Sequence, residues 1–376
     1  MSVNAFPAAD ALLQKVSVVV PVLNCLKLVT DGMADMRRWA PLVKEVVVVD
    51  SHSTDGTLEF LRENLPWPHV QFHQRPRGLY AAWNHGIRHC TGDWIHISTA
   101  GDTISLEDLH YLAGMAERHQ PDVITAPPRF VCGETEHPAH LRWPIHQLLE
   151  RHPEGEVILL EGLSLMAFAM EFCRLCTVIQ SWLGSSASNL YRRGIFETMP
   201  FPEDGAQTGD VMHGLRYAHQ LRAAFVRREC GRFIFHDSVI PRLNVLEHFG
   251  EMYAAEYSIQ QARLRELLFG FLRSGPLRHR LHPVAETSLI TALAHSPLES
   301  LTGVRKLTAE LEKQALKRGV LQQKVNTLRG ERDEWKSRAR LAETALKRYR
   351  GRIPSFLRSV LGLESPAASR QQPAKP

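Results

Sequence analysis

The stretch Val46-Val47-Val48-Val49-Asp50-Ser51-His52-Ser53-Thr54-Asp55-Gly56-Thr57 sets four consecutive β-branched apolar residues directly before a carboxylate and a polar turn. A strand that is apolar at every position is buried on both faces, as in a parallel sheet covered by helices. Such sheets take ligands at the carboxyl ends of their strands, where loop side chains and helix N-termini converge. Asp50 therefore stands where a ribose or a base edge is held, although Asp and Ser after a strand are also ordinary turn residues. Thr57 to Asn64 reads as the helix that follows.

The neighbours on either side repeat the unit. Upstream, Val16 to Val20 is a second apolar strand ending in Pro21-Val22-Leu23-Asn24, followed by a helical pattern through Leu26, Met33 and Met36. Downstream, His69 to His73 reads as a short strand, Leu79 to Cys90 as a helix, and Asp93 to Ser98 as a fourth strand ending in Thr99-Ala100-Gly101-Asp102. Strands alternating with helices at this spacing predict right-handed crossovers and a mainly parallel α/β sheet with helices on both faces. The loops after these strands then share one edge.

Residues along that edge carry a family resemblance. Pro21 to Asn24, the turn Asp50 to Thr57, the helix Gly78-Leu79-Tyr80-Ala81-Ala82-Trp83-Asn84-His85-Gly86, and Thr91-Gly92-Asp93-Trp94-Ile95 before the central strand together resemble the family 2 glycosyltransferases. The four motifs fall in the family's order over roughly Val16 to Ile104, and beyond about Pro128 the likeness thins. The resemblance implies a GT-A, Rossmann-like fold. It further implies transfer of a sugar from a nucleoside-diphosphate sugar to an acceptor hydroxyl with inversion at the anomeric carbon. The acceptor expected is a glycan or a lipid-linked sugar, and no nucleic acid is implied. Pro21, Asn24, Asp50, Ser53, Arg77, Asn84 and Thr99 then fall at substrate-binding positions.

That chemistry asks for a base, a cation to offset charge on the departing diphosphate, and an aligned donor. The family holds the cation on an Asp-x-Asp after the central strand, and here only Asp102 remains of it. One carboxylate with substrate phosphates and water suffices for Mg²⁺ or Mn²⁺, so Asp102 is the expected ligand, joined by His236 at the end of the strand Arg232-Phe233-Ile234-Phe235. Ala81 stands where the family often has Asp. Arg75-Pro76-Arg77 replaces an acidic residue, offering guanidinium groups either to phosphate or simply to solvent.

The base is expected further on. Ser186 to Tyr191 reads as a strand, Phe196 to Phe201 as a turn region, and Gly209-Asp210-Val211-Met212-His213 as a helix start. From the sequence alone Asp210 is a helix cap. The resemblance makes it the catalytic carboxylate, because it follows the Phe201-Pro202-Glu203-Asp204 segment, with Glu203 and Asp204 as rivals.

The 376 residues, 44% hydrophobic and 23% charged, suffice for a large catalytic domain and an appendage. The six cysteines lack disulfide-framework spacing, which suits a reducing compartment. Cys173-Arg174-Leu175-Cys176 lies in an apolar stretch, Ile158 to Trp182, that reads as helical, so buried thiols are expected rather than zinc ligands; Cys132 with His137, His140 and His146 lacks a convincing second half. No apolar run of about 18 residues and no signal segment is evident, so the expected place is the cytoplasm, with peripheral membrane contact as an option.

That option rests on the C-terminus. From Leu301 to Arg352 there are 15 Lys and Arg against 6 Asp and Glu, a net of +9, while residues 1–300 carry −6. Val304, Leu307 and Leu311, then Leu321, Val325 and Leu328, follow a loose heptad broken by Gln314, Arg318 and Arg332. A partly coiled-coil, self-associating segment and a helix folded back on the domain both fit. Ser355 to Leu363 is a short amphipathic piece suited to an anionic membrane or to docking. The expected organisation is thus a catalytic domain at 1–245, a helical connector at 246–300, a basic helical segment at 301–352 and a tail at 353–376. A non-catalytic nucleotide-sugar-binding or scaffold protein is the competing reading, given the reduced metal motif. A nucleotidyltransferase is disfavoured because no Gly-rich phosphate loop follows the first strand.

Overall fold

Val46 and Val48 point to one face of the central sheet and Val47 and Val49 to the other, and both faces are buried. The computed structural model describes residues 11–132, 135–136, 144–150, 157–175, 183, 185–204, 209–234 and 243–273, with 282, 285, 288, 289, 292 and 336 singly. The first half runs β1 (Val16–Val22), α1 (Leu26–Trp39), β2 (Glu45–Asp50), α2 (Thr57–Asn64), β3 (Val70–Gln74), α3 (Leu79–His89), β4 (Trp94–Ile97), α4 (Leu106–His119) and β5 (Val123–Thr125). It continues with β6 (Arg129–Cys132), β7 (Thr135–Glu136), α5 (Pro144–Leu149), β8 (Val157–Glu161), α6 (Gly162–Leu175), β9 (Asn189–Arg192), α7 (Gly209–Tyr217), β10 (Arg222–Val226), β11 (Arg232–Ile234) and α8 (Leu243–Arg273).

The large sheet has the order β3-β2-β1-β4-β9-β5-β10-β8. Strands β1 to β5 and β10 run one way, and only β9 and β8 oppose them. The mainly parallel α/β architecture with helices on both faces is therefore present. Val29, Met33, Leu61 and Leu112 of α1, α2 and α4 cover the face of Val46 and Val48. Tyr80, Trp83, Met166, Leu215 and Leu264 of α3, α6, α7 and α8 cover the other. Burial of this apolar area, at about 25 cal/mol per Å², is the main force holding the layers together.

The direction of β9 builds the functional edge. Because β9 runs against β4 and β5, the residues leading into it, Ser185 to Ser188, meet the carboxyl ends of those two strands. Ser186–Ser188 is a turn of 3₁₀ helix rather than the start of a strand, since the Ser185 hydroxyl accepts the Ala187 N–H and caps it. A second correction falls on Ile158: Val157–Glu161 is strand β8, antiparallel to β10, and the helix begins only after Gly162 at φ 53°. A short apolar run does not by itself distinguish a strand from a buried helix.

A small sheet, β11-β6-β7, closes the same edge. Thr103 and Arg232 exchange backbone hydrogen bonds of 3.1 and 2.7 Å, stitching β11 to the loop after β4. Buried Asp108 braces that junction, accepting the Gly231 N–H at 3.2 Å and pairing with Arg228 and Arg129.

Helix α8 occupies part of the stretch read as connector and packs on α6 and α7, with Tyr257 and Leu264 fully buried and Glu256 paired to Arg216 at 3.0 Å. The chain divides into two compact units, Met1–Thr308 and Ala309–Pro376. The expected coiled-coil segment, the amphipathic piece and the tail lie outside the described residues, apart from Lys336. Cys25, Cys90 and Cys230 are free thiols, pushed by burial to about 11, 12 and 12 and so unreactive near neutrality. Buried His146 bonds the Pro128 carbonyl at 3.1 Å, while His137, His140, Cys176 and the side chains of Cys132 and Cys173 lie outside what is described. No described helix is long and apolar enough to cross a membrane.

Candidate active site

Two turns, after β1 and β2, interlock at the carboxyl edge. The Asn24 backbone N–H donates to Ser53 Oγ at 3.0 Å, and Asn24 Oδ1 accepts the Thr54 N–H at 2.8 Å. Asp55 accepts the Leu26 N–H at 3.0 Å and the Thr57 hydroxyl at 2.6 Å, so the starts of α1 and α2 are capped by one carboxylate. Asp50 is fully buried and accepts the Ser53 N–H at 3.1 and 3.2 Å and Gln74 Nε2 at 3.0 Å. Its carboxylate thus builds the turn and the β2–β3 edge, and Ser53 and Asn24 are what that turn presents to solvent. His52 at φ 60° and Asn24 at φ 47° are held left-handed by these bonds.

The loop after β4 is a second turn. The Asp102 N–H returns to the Thr99 carbonyl at 3.2 Å, with Gly101 at φ 98° in the third position. A turn of this kind needs glycine there, and the bend aims Asp102 inward. Asp102 Oδ2 accepts hydroxyls from Thr99 and Ser185 at 3.2 Å each, and Oδ1 accepts the Ile234 N–H at 3.2 Å. Burial pushes its carboxyl up to about 7 against the pull of those three donors, and the charge of Asp210 adds to the rise.

Asp210 stands at the start of α7. Its Oδ1 accepts the Tyr80 hydroxyl at 2.8 Å and the Val211 N–H at 2.9 Å. Among the described residues its Oδ2 has no hydrogen-bond partner. Burial raises the Asp210 pKa, and the Tyr80 and Val211 bonds oppose that rise. A Cβ on Gly209 would lie 2.4 Å from the Tyr80 ring, so only glycine lets α7 approach α3 closely enough for this pair. Burial, and then the Asp210 charge, drive the Tyr80 pKa well above the ordinary phenol value, keeping it a donor.

The other expected site residues divide. Thr99 belongs to the Asp102 cluster. Arg77 is exposed on the loop between β3 and α3 and, among the described residues, makes no hydrogen bond or ion pair. Pro21 is buried inside β1; the β1–β4 ladder has ended at Val19, so no partner strand needs its missing N–H. Asn84 lies on α3. It is buried, its Oδ1 accepts the Phe201 N–H at 3.0 Å, and its Nδ2 donates to the Phe201 carbonyl at 2.8 Å and to Glu203 Oε1 at 3.1 Å. It positions the segment that leads to Asp210, and the rival base Glu203 is tethered by it. His236 lies outside the described residues. Tyr80, Gln74, Ser185 and Ser186 join the site without having been singled out in the sequence; only the cluster Ser185-Ser186-Ala187-Ser188 offered a signal.

A test follows from Asn84. Asn84→Ala strands the buried Phe201 N–H and carbonyl, at about 2 kcal/mol or more. Denaturant unfolding should show that loss, and kcat should fall while donor affinity holds. Undiminished stability with lost donor affinity would return Asn84 to the donor.

The family profile described as Glycosyl transferase family 2 matches residues 17–180, the span that carries Asn24, Asp50, Thr99 and Asp102. Residues 17–180 thus carry a glycosyl transferase family 2 domain, which makes the protein a glycosyltransferase. Among solved structures it is similar to S. aureus TarS 1–349, at 17% identity over 80% of this chain and 92% of that one with TM-score 0.47. It is similar to the same protein in complex with UDP-GlcNAc, at 17% identity, 80% and 92% coverage and TM-score 0.46. Mannosyltransferase PcManGT from Pyrobaculum calidifontis, in complex with GDP-Man and Mn²⁺, follows at 17% identity, 80% of this chain, 79% of that chain and TM-score 0.43. No curated protein matches the chain.

Proposed function

We propose that the edge formed by β1, β2, β4 and α7 performs inverting transfer of a sugar from a nucleoside-diphosphate donor to an acceptor hydroxyl. The observation that carries this is Asp210: one carboxylate oxygen is fixed by Tyr80 and Val211, and the other is left without a described partner. Asp210 Oδ2 takes the acceptor proton as the acceptor oxygen bonds the anomeric carbon and the carbon–oxygen bond to the diphosphate breaks on the opposite face. A raised carboxyl pKa makes a stronger base. Asn24, Ser53 and Thr99 line the donor side of the edge, and Arg77 offers a guanidinium to diphosphate oxygens.

The Thr99 and Ser185 hydroxyls beside the Asp102 carboxylate suit a hard cation, and burial disfavours ionisation of both Asp102 and Asp210, with the Asp210 charge adding to the rise at Asp102, an electrostatic deficit that such a cation relieves. Asp102 would hold Mg²⁺ or Mn²⁺ together with donor phosphates. The ion would offset charge on the departing diphosphate. The acceptor proposed is a glycan or lipid-linked sugar, and the basic segment 301–352 is proposed to serve self-association or contact with an anionic membrane.

Thermal unfolding with a panel of nucleoside diphosphates and their sugars, with and without Mn²⁺, tests the donor assignment. A ligand at 100 times its Kd stabilises by about 2.7 kcal/mol. A cation-enhanced rise for one nucleotide class is expected, and no rise with any of them would overturn the assignment.

A further inference from the structure

Away from this edge, β3 and α3 bring together three imidazoles that glycosyl transfer does not use. His73 lies on the edge strand of the large sheet, and His85 and His89 lie one turn apart on α3, on the same helix face. One ring nitrogen from each lies within 4.8 Å of the other two. The ring centroids are 4.1 Å apart for His73 and His89, 4.7 Å for His85 and His89, and 5.4 Å for His73 and His85.

The hydrogen bonds around the rings fit ligation. His89 Nδ1 is bonded to the His85 carbonyl at 2.9 Å, and His73 Nε2 to Gln71 Oε1 at 3.3 Å. An N–H donated to each of those oxygens leaves the second nitrogen of the ring with its lone pair, which is how metal-binding histidines are oriented. His85 Nε2 is buried with no hydrogen-bond partner. A buried polar atom in that state is costly, and a bound cation removes the cost.

We propose that His73, His85 and His89 form a Zn²⁺ site with water as the fourth ligand, separate from the cation proposed at Asp102. Imidazole nitrogens suit Zn²⁺, Cu²⁺ and Ni²⁺, whereas the oxygens around Asp102 suit Mg²⁺ and Mn²⁺. A Zn–N distance of about 2.0–2.1 Å requires the three nitrogens to draw closer, a movement open to the half-buried His89 side chain. The positive charges of Arg75 and Arg88 act on His85 and hold the affinity below that of a fully buried zinc site. The site has a structural consequence at the catalytic edge. His73 adjoins Gln74, which bonds Asp50, and Arg75, whose N–H bonds the Asp50 carbonyl at 3.0 Å; fastening His73 to α3 stiffens the strand end that carries the donor turn.

The test uses the full chain, stripped by chelator and titrated with Co²⁺ as a coloured probe, then with Zn²⁺ as competitor. A single equivalent with the strong visible absorption of four-coordinate Co²⁺, displaced by Zn²⁺, is expected. His89→Gln and His73→Gln should each weaken Co²⁺ binding by about tenfold or more, and the Zn²⁺-dependent rise in Tm should vanish in both. Asp102→Asn should leave Co²⁺ binding unchanged. His89 is half-buried near the end of α3, and circular dichroism checks that its variant stays folded. No four-coordinate absorption, or uptake indifferent to both His substitutions, would overturn the site whatever the outcome for glycosyl transfer.

Discussion

Asp210→Asn is expected to lower kcat by about 10²- to 10⁴-fold while donor binding survives. The amide keeps the size of the carboxylate and can still accept the Tyr80 hydroxyl and the Val211 N–H, so α7 stays in place. What it loses is the lone pair on Oδ2 that takes the acceptor proton. The pH profile gives the signed version of the same claim. A base must be ionised, and burial raises the Asp210 pKa, so kcat/KM should fall as pH drops through a value above the ordinary carboxylate range. Tyr80→Phe removes a bond that lowers this pKa and should move the acid limb further up. Near-normal turnover of Asp210→Asn would shift the search to Glu203 and Asp204. Glu203 is then the weaker candidate, because Asn84 holds one of its oxygens at 3.1 Å.

Asp102→Ala is expected to remove both activity and its dependence on Mg²⁺ or Mn²⁺, with donor affinity falling as well. A cation at the departing diphosphate contributes several kcal/mol of charge stabilisation, a rate effect of roughly 10²-fold or more. Alanine also strands the Thr99 and Ser185 hydroxyls and the Ile234 N–H, so Asp102→Asn, which can still accept hydrogen bonds, separates loss of the cation from loss of the loop. Both variants should bind the metal-free nucleoside about equally. If Asp102→Asn retained full, metal-dependent turnover, the cation would have to sit elsewhere.

The first half of the sheet was legible because its residues carry their environment in their chemistry. Four successive valines demand burial on two faces, and Thr57 to Asn64 is bounded by Gly56 at φ 89° on one side and by the non-helical Leu65 (φ −121°, ψ 67°) on the other. Asp102 and Asp210 were legible as candidates, one at a strand end and one at a helix start, but the influence of Asp210 on Asp102 was not. It depends on the antiparallel β9 and on Gly209 admitting α7 against Tyr80, contacts between residues far apart in the chain. For Asp50 and Asn84 the sequence did not show which groups they bond. Buried carboxylates and amides satisfy nearby polar groups, and here those are Ser53, Gln74 and Phe201. The strand β8 escaped because five apolar-rich residues before a helix lack a period of their own.

The central claim, that this edge turns over nucleotide sugars with Asp210 as base, is tested most directly by release of nucleoside diphosphate from the donor that stabilises the protein most. The wild-type chain should release it in the presence of Mn²⁺, faster with an acceptor sugar than with water alone, and the product should carry the inverted anomer. Asp210→Asn should bind the same donor and release almost none. Tight donor binding with no release by the wild type, under any acceptor or cation, would contradict the claim and leave a protein that holds nucleotide sugars without transferring them.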